Sequence, residues 1–196
     1  MNENLVNENL VIVKVGGSLF DLPDLKLRLA RCCERARPRR VVFVPGGGSA
    51  ANVIRSLDIT HGLGEEAAHW LAMRMVQVNG CFLKTLLAQA AIVRFPHEKP
   101  RVGILDAYDF ARADEARDNH LPHIWDVTSD SLAARVAAVF GAEELVLLKS
   151  VSWEGSDWQA AASAGVVDRY FPVALRPARD LAVRVVNSRA EQSPQS

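Results

Sequence analysis

Three consecutive glycines, Gly46-Gly47-Gly48, follow the apolar run Val41-Val42-Phe43-Val44 and a single proline, Pro45. Little else in the chain restricts its fold as strongly. The run reads as a buried strand, and Ala50 to Leu57 is compatible with a helix starting directly after it. One glycine there would mark a tight turn. Three in succession cost conformational entropy that a plain turn does not require. Glycine lets a backbone approach a ligand closely, and the first amides of a helix lack intrahelical partners. The stretch through Ser49 is therefore read as a cradle for a phosphate or carboxylate.

The same arrangement occurs earlier. Leu10-Val11-Ile12-Val13-Lys14-Val15 reads as a strand buried on both faces, with one lysine near its end, and Gly16-Gly17-Ser18-Leu19 follows at once. Pro23 suits a helix start, and Pro38 closes that helix. Two strand, glycine-loop, helix units in succession predict an α/β fold with a mainly parallel sheet and right-handed crossovers. Ligands of such sheets bind beyond the carboxyl ends of the strands, where both glycine loops fall. Lys14 is then placed to meet an anion, the competing reading being a lysine that snorkels from a strand end.

The middle of the chain is less explicit. Leu63 to Ala91 reads as two helices joined near Asn79-Gly80. His69 lies on the same helix face as Glu65, whose charge, with that of Glu66, would raise the histidine pKa and suit contact with an anionic substrate. A purely structural histidine is the alternative. Met73, Met75, Val76 and Val78 read as core or as a subunit contact, and a homo-oligomer is expected. Ile92 to Pro100 shows no clear pattern, Arg101 to Leu105 reads as a strand, and Asp106 to Ala116 as a helix. The alternating charges from Arg112 to Asp118 read as a solvated face. His120 and His123 fall in a loop, and no spacing here matches a dedicated metal site.

Trp125-Asp126-Val127-Thr128-Ser129-Asp130-Ser131 opens a second informative region. Thr128 or Ser129 is a good N-cap, Asp130 adds charge to the first turn, and Gly141 ends the helix. Glu144 to Lys149 is a buried strand that again ends in lysine. Lys14 and Lys149 flanking one anion, with Asp130 holding both ammonium groups, is the charge arrangement expected. Beyond Ser150, Val151 to Gly155 reads as a loop, Ala160 to Ala164 and the segment from Asp168 as short helices, and Leu181 to Val186 as a last strand.

Composition narrows the classes. The 196 residues contain 23 Lys+Arg and 23 Asp+Glu, so no net basic field argues for nucleic acid. Cys32, Cys33 and Cys81 form no even framework and fit a reducing cytoplasm. No run resembles a membrane span. Residues 1–9 are expected to form a flexible leader, 10–189 a single domain, and 190–196 a disordered tail.

Three function readings stand. Gly46-x-Gly48-x-x-Ala51 fits the relaxed dinucleotide fingerprint, but the acids some twenty residues on, Glu65 and Glu66, precede helical sequence instead of ending a strand. The Gly-x-x-x-x-Gly-Lys-Ser/Thr loop of one large class of phosphotransferases is absent. Phosphoryl transfer between two glycine loops with two lysines remains, beside a non-catalytic nucleotide or oxoanion binder using the same cradle.

Val13-Lys14-Val15-Gly16-Gly17-Ser18-Leu19, then Val44-Pro45-Gly46-Gly47-Gly48, then Val127-Thr128-Ser129-Asp130-Ser131 followed by Ala142 to Leu148, together resemble the amino acid kinase superfamily. Gly64 to Ala72 resembles its small branch containing the (aminomethyl)furan-methyl phosphate kinase of methanofuran biosynthesis, a branch also similar to molybdenum-storage subunits. The resemblance implies a three-layer αβα sandwich and ATP as donor, with Mg2+ carried by the nucleotide. The acceptor would be a small phosphate or carboxylate; the balanced charge and the lack of an apolar span argue separately for no nucleic acid or membrane partner. It implies catalytic roles for Lys14, Asp130 and Lys149, with Arg169 as another candidate for the second positive charge. Gly16, Gly17, Ser18, Ser150 and Trp153 would bind ATP. Gly46, Gly47, Gly48, Ser49, His69, Thr128 and Ser129 would bind the acceptor. The chain departs from the family where Lys149-Ser150-Val151-Ser152-Trp153 replaces a Thr-Asp-Val-Asp-Gly pattern.

Overall fold

The computed structural model describes residues 7–95, 100–178 and 180–190. The expected leader lies mostly outside these, at 1–6, and the expected tail at 191–196. The first strand, β1 (Asn7–Val15), begins ahead of the Leu10 expected. It is followed by a single 3-10 turn, Gly17–Leu19, and by α1 (Leu25–Arg35). Next come β2 (Arg40–Pro45), α2 (Gly48–His61) and α3 (Glu65–Leu86). The chain continues through β3 (Ala91–Val93), β4 (Val102–Leu105) and α4 (Ala107–Asp114). It closes with α5 (Ser129–Val139), β5 (Ala142–Lys149), α6 (Trp158–Ser163), α7 (Phe171–Ala174) and β6 (Ala182–Asn187).

The strands form one six-stranded sheet in the order β3-β4-β2-β1-β5-β6. All its pairings are parallel. Alternation sends Leu10, Ile12 and Lys14 to one face of β1 and Val11, Val13 and Val15 to the other. Both sets are buried, so β1 is covered on both sides as its near-continuous apolar sequence requires. On one face Leu10, Ile12, Val42, Val44, Leu145 and Leu147 pack with Met73 of α3, Phe110 of α4 and the apolar side chains of α5. On the other, Val11, Val13, Phe43, Ile104 and Val146 pack with Leu25, Leu29 and Cys33 of α1. This is a three-layer αβα sandwich.

The order of the strands decides where a ligand can sit. From β1 the chain steps to β2, crosses to the edge strand β3 and comes back one place to β4, then returns past β1 so that β5 and β6 lie on the other side. The sheet therefore reverses its winding at the β1/β5 pair, and the crevice beyond the carboxyl ends there is left open by the connections. Lys14 is in register with Leu147 on β5. Lys149, two residues further on, emerges from the same face as Lys14.

Four expectations need correction. Asn79-Gly80 does not divide two helices: α3 runs unbroken through it. A Cβ at Gly80 would stand in ordinary contact, 3.5 Å from the Leu105 carbonyl oxygen and from Pro45 Cγ, which places α3 directly over the ends of β2 and β4. The stretch without a clear pattern contains β3, three residues too short to show alternation, with residues 96–99 outside the described ones. The charges from Arg112 to Asp118 are not simply a solvated face. Asp114 is buried and accepts from Arg135 Nε at 2.8 Å and Nη2 at 3.0 Å, while Arg112 stacks over Trp70 at 4.5 Å. Charge alternation along a sequence does not reveal that a buried arginine waits on another helix. Lastly, Thr128 occupies the N-cap of α5 without a side-chain capping bond, since its hydroxyl donates elsewhere.

Candidate active site

The two glycine loops meet backbone to backbone. A Cβ on Gly17 would lie 2.2 Å from Gly48 N and 2.3 Å from Gly48 Cα, and one on Gly46 would lie 2.5 Å from Gly17 N. No rotamer relieves such overlaps, because the opposing atoms belong to the main chain. Gly48 also has φ +55°, a region costly for a side chain. Gly16 N–H donates to the Leu148 carbonyl at 2.9 Å, which pins the first loop against β5. Gly17→Ala is accordingly expected to lower stability by about 1–3 kcal/mol, the usual cost of overpacking. Urea unfolding checks this, and a variant as stable as the parent would contradict it.

Asn79 sets the second loop from behind. Its buried amide donates to the Gly46 and Gly47 carbonyls, both at 2.8 Å. In a trans peptide the next N–H points opposite the carbonyl, so the Gly47 and Gly48 amides face away from Asn79. The first intrahelical donor of α2 is Ala51, bonded to the Gly47 carbonyl at 3.2 Å. The Gly48, Ser49 and Ala50 amides thus have no partner within the helix and carry its positive end.

Beside the loops, Asp130 at the start of α5 holds both lysines. Lys14 Nζ lies 2.9 Å from Asp130 Oδ1, and Lys149 Nζ donates to Oδ2 at 2.6 Å. Lys14 is 5% and Asp130 4% exposed, and the Lys149 side chain 13%, so solvent reaches Lys149 more than the other two. Burial alone would raise the Asp130 pKa, but Lys14 and then Lys149 outweigh it and hold the carboxyl below its usual range. Burial first, and then repulsion from Lys14, push Lys149 down to about 8 against the attraction of Asp130. Two cations face one anion, so the centre carries a surplus positive charge suited to an anionic ligand.

A cleft of about 800 Å³ opens over this centre. It is lined by Lys14, Gly17, Ser18, Gly47, Gly48, Ser49, His69, Thr128 and Ser129 among the expected residues. Gly16, Gly46, Asp130 and Lys149 support that lining from beneath, and Ser150 stands at its edge with its hydroxyl accepting from Ser18 at 3.2 Å. Trp153 is not brought to the cleft: its indole N–H is taken by the Gly155 carbonyl at 3.0 Å and its ring packs on the core. Arg169 is 82% exposed beside Asp126, and it is Lys149 that stands beside Lys14.

His69 lines the cleft, but its expected charge is corrected. Burial, and then the neighbouring His123, push its pKa down to about 4, more than Glu66 and Glu115 restore. Its ring stacks on His123 at 4.2 Å and meets Trp70 edge-on at 4.9 Å. The sequence shows the helix neighbours of His69 but not the histidine that the fold lays against it.

Three contributors escape a reading of the sequence. Asp168 accepts from Thr128 N at 3.0 Å, Thr128 Oγ1 at 2.7 Å and Ser131 N at 2.9 Å, and also from the Ser131 hydroxyl. It caps α5 from a remote segment, and its own N–H donates to Asp130 Oδ2 at 3.2 Å. Arg189 reaches back from beyond β6 to the Ser18 carbonyl and Asp21 and lines the cleft. Arg55 also lines it, stacked over Trp125 at 4.7 Å. Of these, only Arg55 left a signal, since Gly48, Asn52 and Arg55 share one face of α2.

A parallel αβα sandwich with interlocked glycine loops and two lysines on one aspartate at the switch point defines a doubly wound α/β protein with a cationic cleft. No known family profile matches the chain. Its fold is similar to uridylate kinase from Archaeoglobus fulgidus, with a TM-score of 0.62 and 14% identity over 90% of each chain. It is similar also to UMP kinase from Bacillus anthracis, with a TM-score of 0.63 and 16% identity over 91% of this chain and 87% of that one. The chain has the amino acid kinase fold. In sequence it is 27% identical over 146 residues to the [5-(aminomethyl)furan-3-yl]methyl phosphate kinase of Methanocaldococcus jannaschii, a match covering 71% of this chain and spanning 65% of that relative's length. No helix among the described residues is long and apolar enough to cross a membrane.

Proposed function

We propose that the chain is an ATP-dependent kinase that moves the γ-phosphoryl group to a small anionic acceptor. The observation that carries this reading is the Lys14–Asp130–Lys149 centre, set against two touching glycine loops in one cleft. In the proposed step an acceptor oxygen forms a new P–O bond to the γ-phosphorus while the bond to the β,γ-bridging oxygen breaks, and ADP leaves with that electron pair. An anionic acceptor needs no general base. Catalysis then consists of positioning and charge stabilisation. Lys14 neutralises charge on the transferring group, and Lys149 does so from the nucleotide side. Asp130 fixes both ammonium groups. Gly16 to Ser18 and Ser150 hold the donor phosphates, and Gly46 to Ser49, with Thr128 and Ser129 at the start of α5, hold the acceptor. Both Asp130 oxygens are engaged by lysines, so Mg2+ is proposed to arrive on the nucleotide's own phosphates.

A phosphomonoester such as (aminomethyl)furan-methyl phosphate, on a methanofuran-type pathway, is the acceptor we favour. Two things support it: the name of the sequence relative, and Glu65, which offers a cationic amine a partner in the cleft that also holds the lysines. Incubation with Mg-ATP and a panel of phosphomonoesters and carboxylates, following ADP, tests this. Phosphomonoester-dependent ADP release is expected. Tight nucleotide or oxoanion binding without ADP would favour a storage or binding protein instead, and saturable NADH binding would favour the dinucleotide reading.

The proposal includes a single domain over 10–189, a cytoplasmic location and a homo-oligomer. The free cysteines, one of them exposed, suit a reducing compartment. Val53 and Leu57 of α2 and Leu71 and Val78 of α3 are exposed apolar side chains on neighbouring helices, which suits a subunit contact. Light scattering is expected to give at least twice the chain mass; a strict monomer would contradict it.

The charge state of Lys149 also predicts a pH profile. Its proton is lost as pH rises through about 8, so kcat/KM is expected to fall on an alkaline limb with an apparent pKa near that value. In the unfolded chain a lysine keeps its proton up to about 10.4. Between the two values the unfolded state binds more protons, so stability rises with pH while rate falls. Unfolding therefore does not mimic the effect. A flat profile through pH 9 would contradict the role given to Lys149.

A further inference from the structure

We propose that Glu115, His120 and His123 form a binding site for one divalent transition-metal ion of the zinc class. The three residues lie close in sequence, at the end of α4 and in the loop that follows. The fold brings one carboxylate oxygen and two imidazole nitrogens within 4.8 Å of one another. Glu115 Oε1 is 3.0 Å from His123 Nε2 and 3.5 Å from His120 Nδ1. Ligand atoms at about 2.0–2.1 Å from a tetrahedral ion stand roughly 3.3 Å apart, which these separations bracket. Asn119, with φ +59°, provides the turn that carries His120 back toward Glu115. His120 Nδ1 also lies 3.3 Å from the Leu121 carbonyl, a contact that metal would replace.

The surroundings of His123 fit the same role. Its other nitrogen, Nδ1, meets Glu66 on α3. A metal-bound histidine characteristically presents its second nitrogen to a carboxylate, which fixes the tautomer and strengthens the ligand. Glu66 is fixed in turn by the Trp70 indole N–H at 2.7 Å. Two nitrogens and one carboxylate oxygen suit a borderline ion such as Zn2+ better than Mg2+ or Ca2+, which prefer oxygen alone. Three protein ligands leave a fourth position for water. The ion would tie the loop bearing Leu121, Ile124 and Trp125, all of which line the cleft, to α3 through Glu66 and the His69–His123 stack.

The test needs no turnover and so stands apart from the kinase reading. Chelator-treated protein is titrated with Zn2+, followed by equilibrium dialysis and elemental analysis, and with Co2+, followed by visible absorption. One ion per chain is expected, with the intense d–d bands of a four-coordinate site and no thiolate charge transfer. His120→Ala and His123→Ala should each abolish the stoichiometric binding. Glu66→Gln should weaken it roughly 10- to 100-fold, and Cys81→Ser should leave it unchanged. His120 is 44% exposed at its side chain, so its removal leaves the fold intact and keeps the test decisive. Failure to bind one equivalent, or binding that survives both histidine substitutions, would overturn the proposal.

Discussion

Lys14→Ala is expected to lower kcat by a factor on the order of 10²–10³, about 3 to 4 kcal/mol of barrier, the usual cost of one charge-assisted donor aimed at developing charge in a closed site. The ammonium group lies under the cleft, 5% exposed, and is aimed by Asp130 at 2.9 Å. Little solvent is present to replace it. Lys149, which donates to Asp130 at 2.6 Å in the parent, is retained in the variant, so the fold should survive. Steady-state kinetics with circular dichroism as a folding control separate the two effects. The expected pattern is a large fall in kcat with a smaller change in KM for ATP and native secondary structure. Turnover near that of the parent would remove Lys14 from the proposed mechanism.

Asp130→Ala is expected to act mainly on stability. It strands two ammonium groups that now share one carboxylate, both largely buried, and it removes the acceptor of the Asp168 N–H. Breaking a buried ion pair by deleting one partner typically costs about 3–5 kcal/mol, because the remaining charge is left uncompensated. Lys149, already pushed down to about 8, would lose the carboxylate that favours its charged form, so the loss should shrink as pH rises. Urea midpoints measured across pH are the check. A shift well under 1 kcal/mol, independent of pH, would show that water reaches these groups freely.

The parts of this account that were legible in the sequence share a physical property. Lys14 and Lys149 end buried strands, and strand periodicity with parallel pairing carries both to one face at one edge. The glycine loops were visible because consecutive glycines have few other uses. Asp130 was visible because a carboxylate in the first turn of a helix beside those strand ends has little choice of neighbour. What stayed hidden depends on contacts between remote segments. Asn79-Gly80 has the composition of a break, yet packing of α3 against Pro45 and Leu105 turns it into a support for the glycine loop. Asp168 caps a helix forty residues earlier in the chain, as its bond to Thr128 shows. The low pKa of His69 comes from burial and from His123, neither of which its own helix displays. Trp153, assigned by motif position, has its indole N–H engaged by the local turn and does not line the cleft.

Phosphoryl transfer onto an existing anion is followed directly by ³¹P NMR of a reaction containing the purified chain, Mg-ATP and an aminomethyl-substituted furan-methyl phosphate. Loss of the ATP γ signal, appearance of ADP, and a new pair of coupled doublets from an acceptor diphosphate are expected, all slowed on the order of 100- to 1000-fold with Lys14→Ala. ATP that stays intact beside an unchanged phosphomonoester, across phosphate and carboxylate acceptors alike, would contradict it.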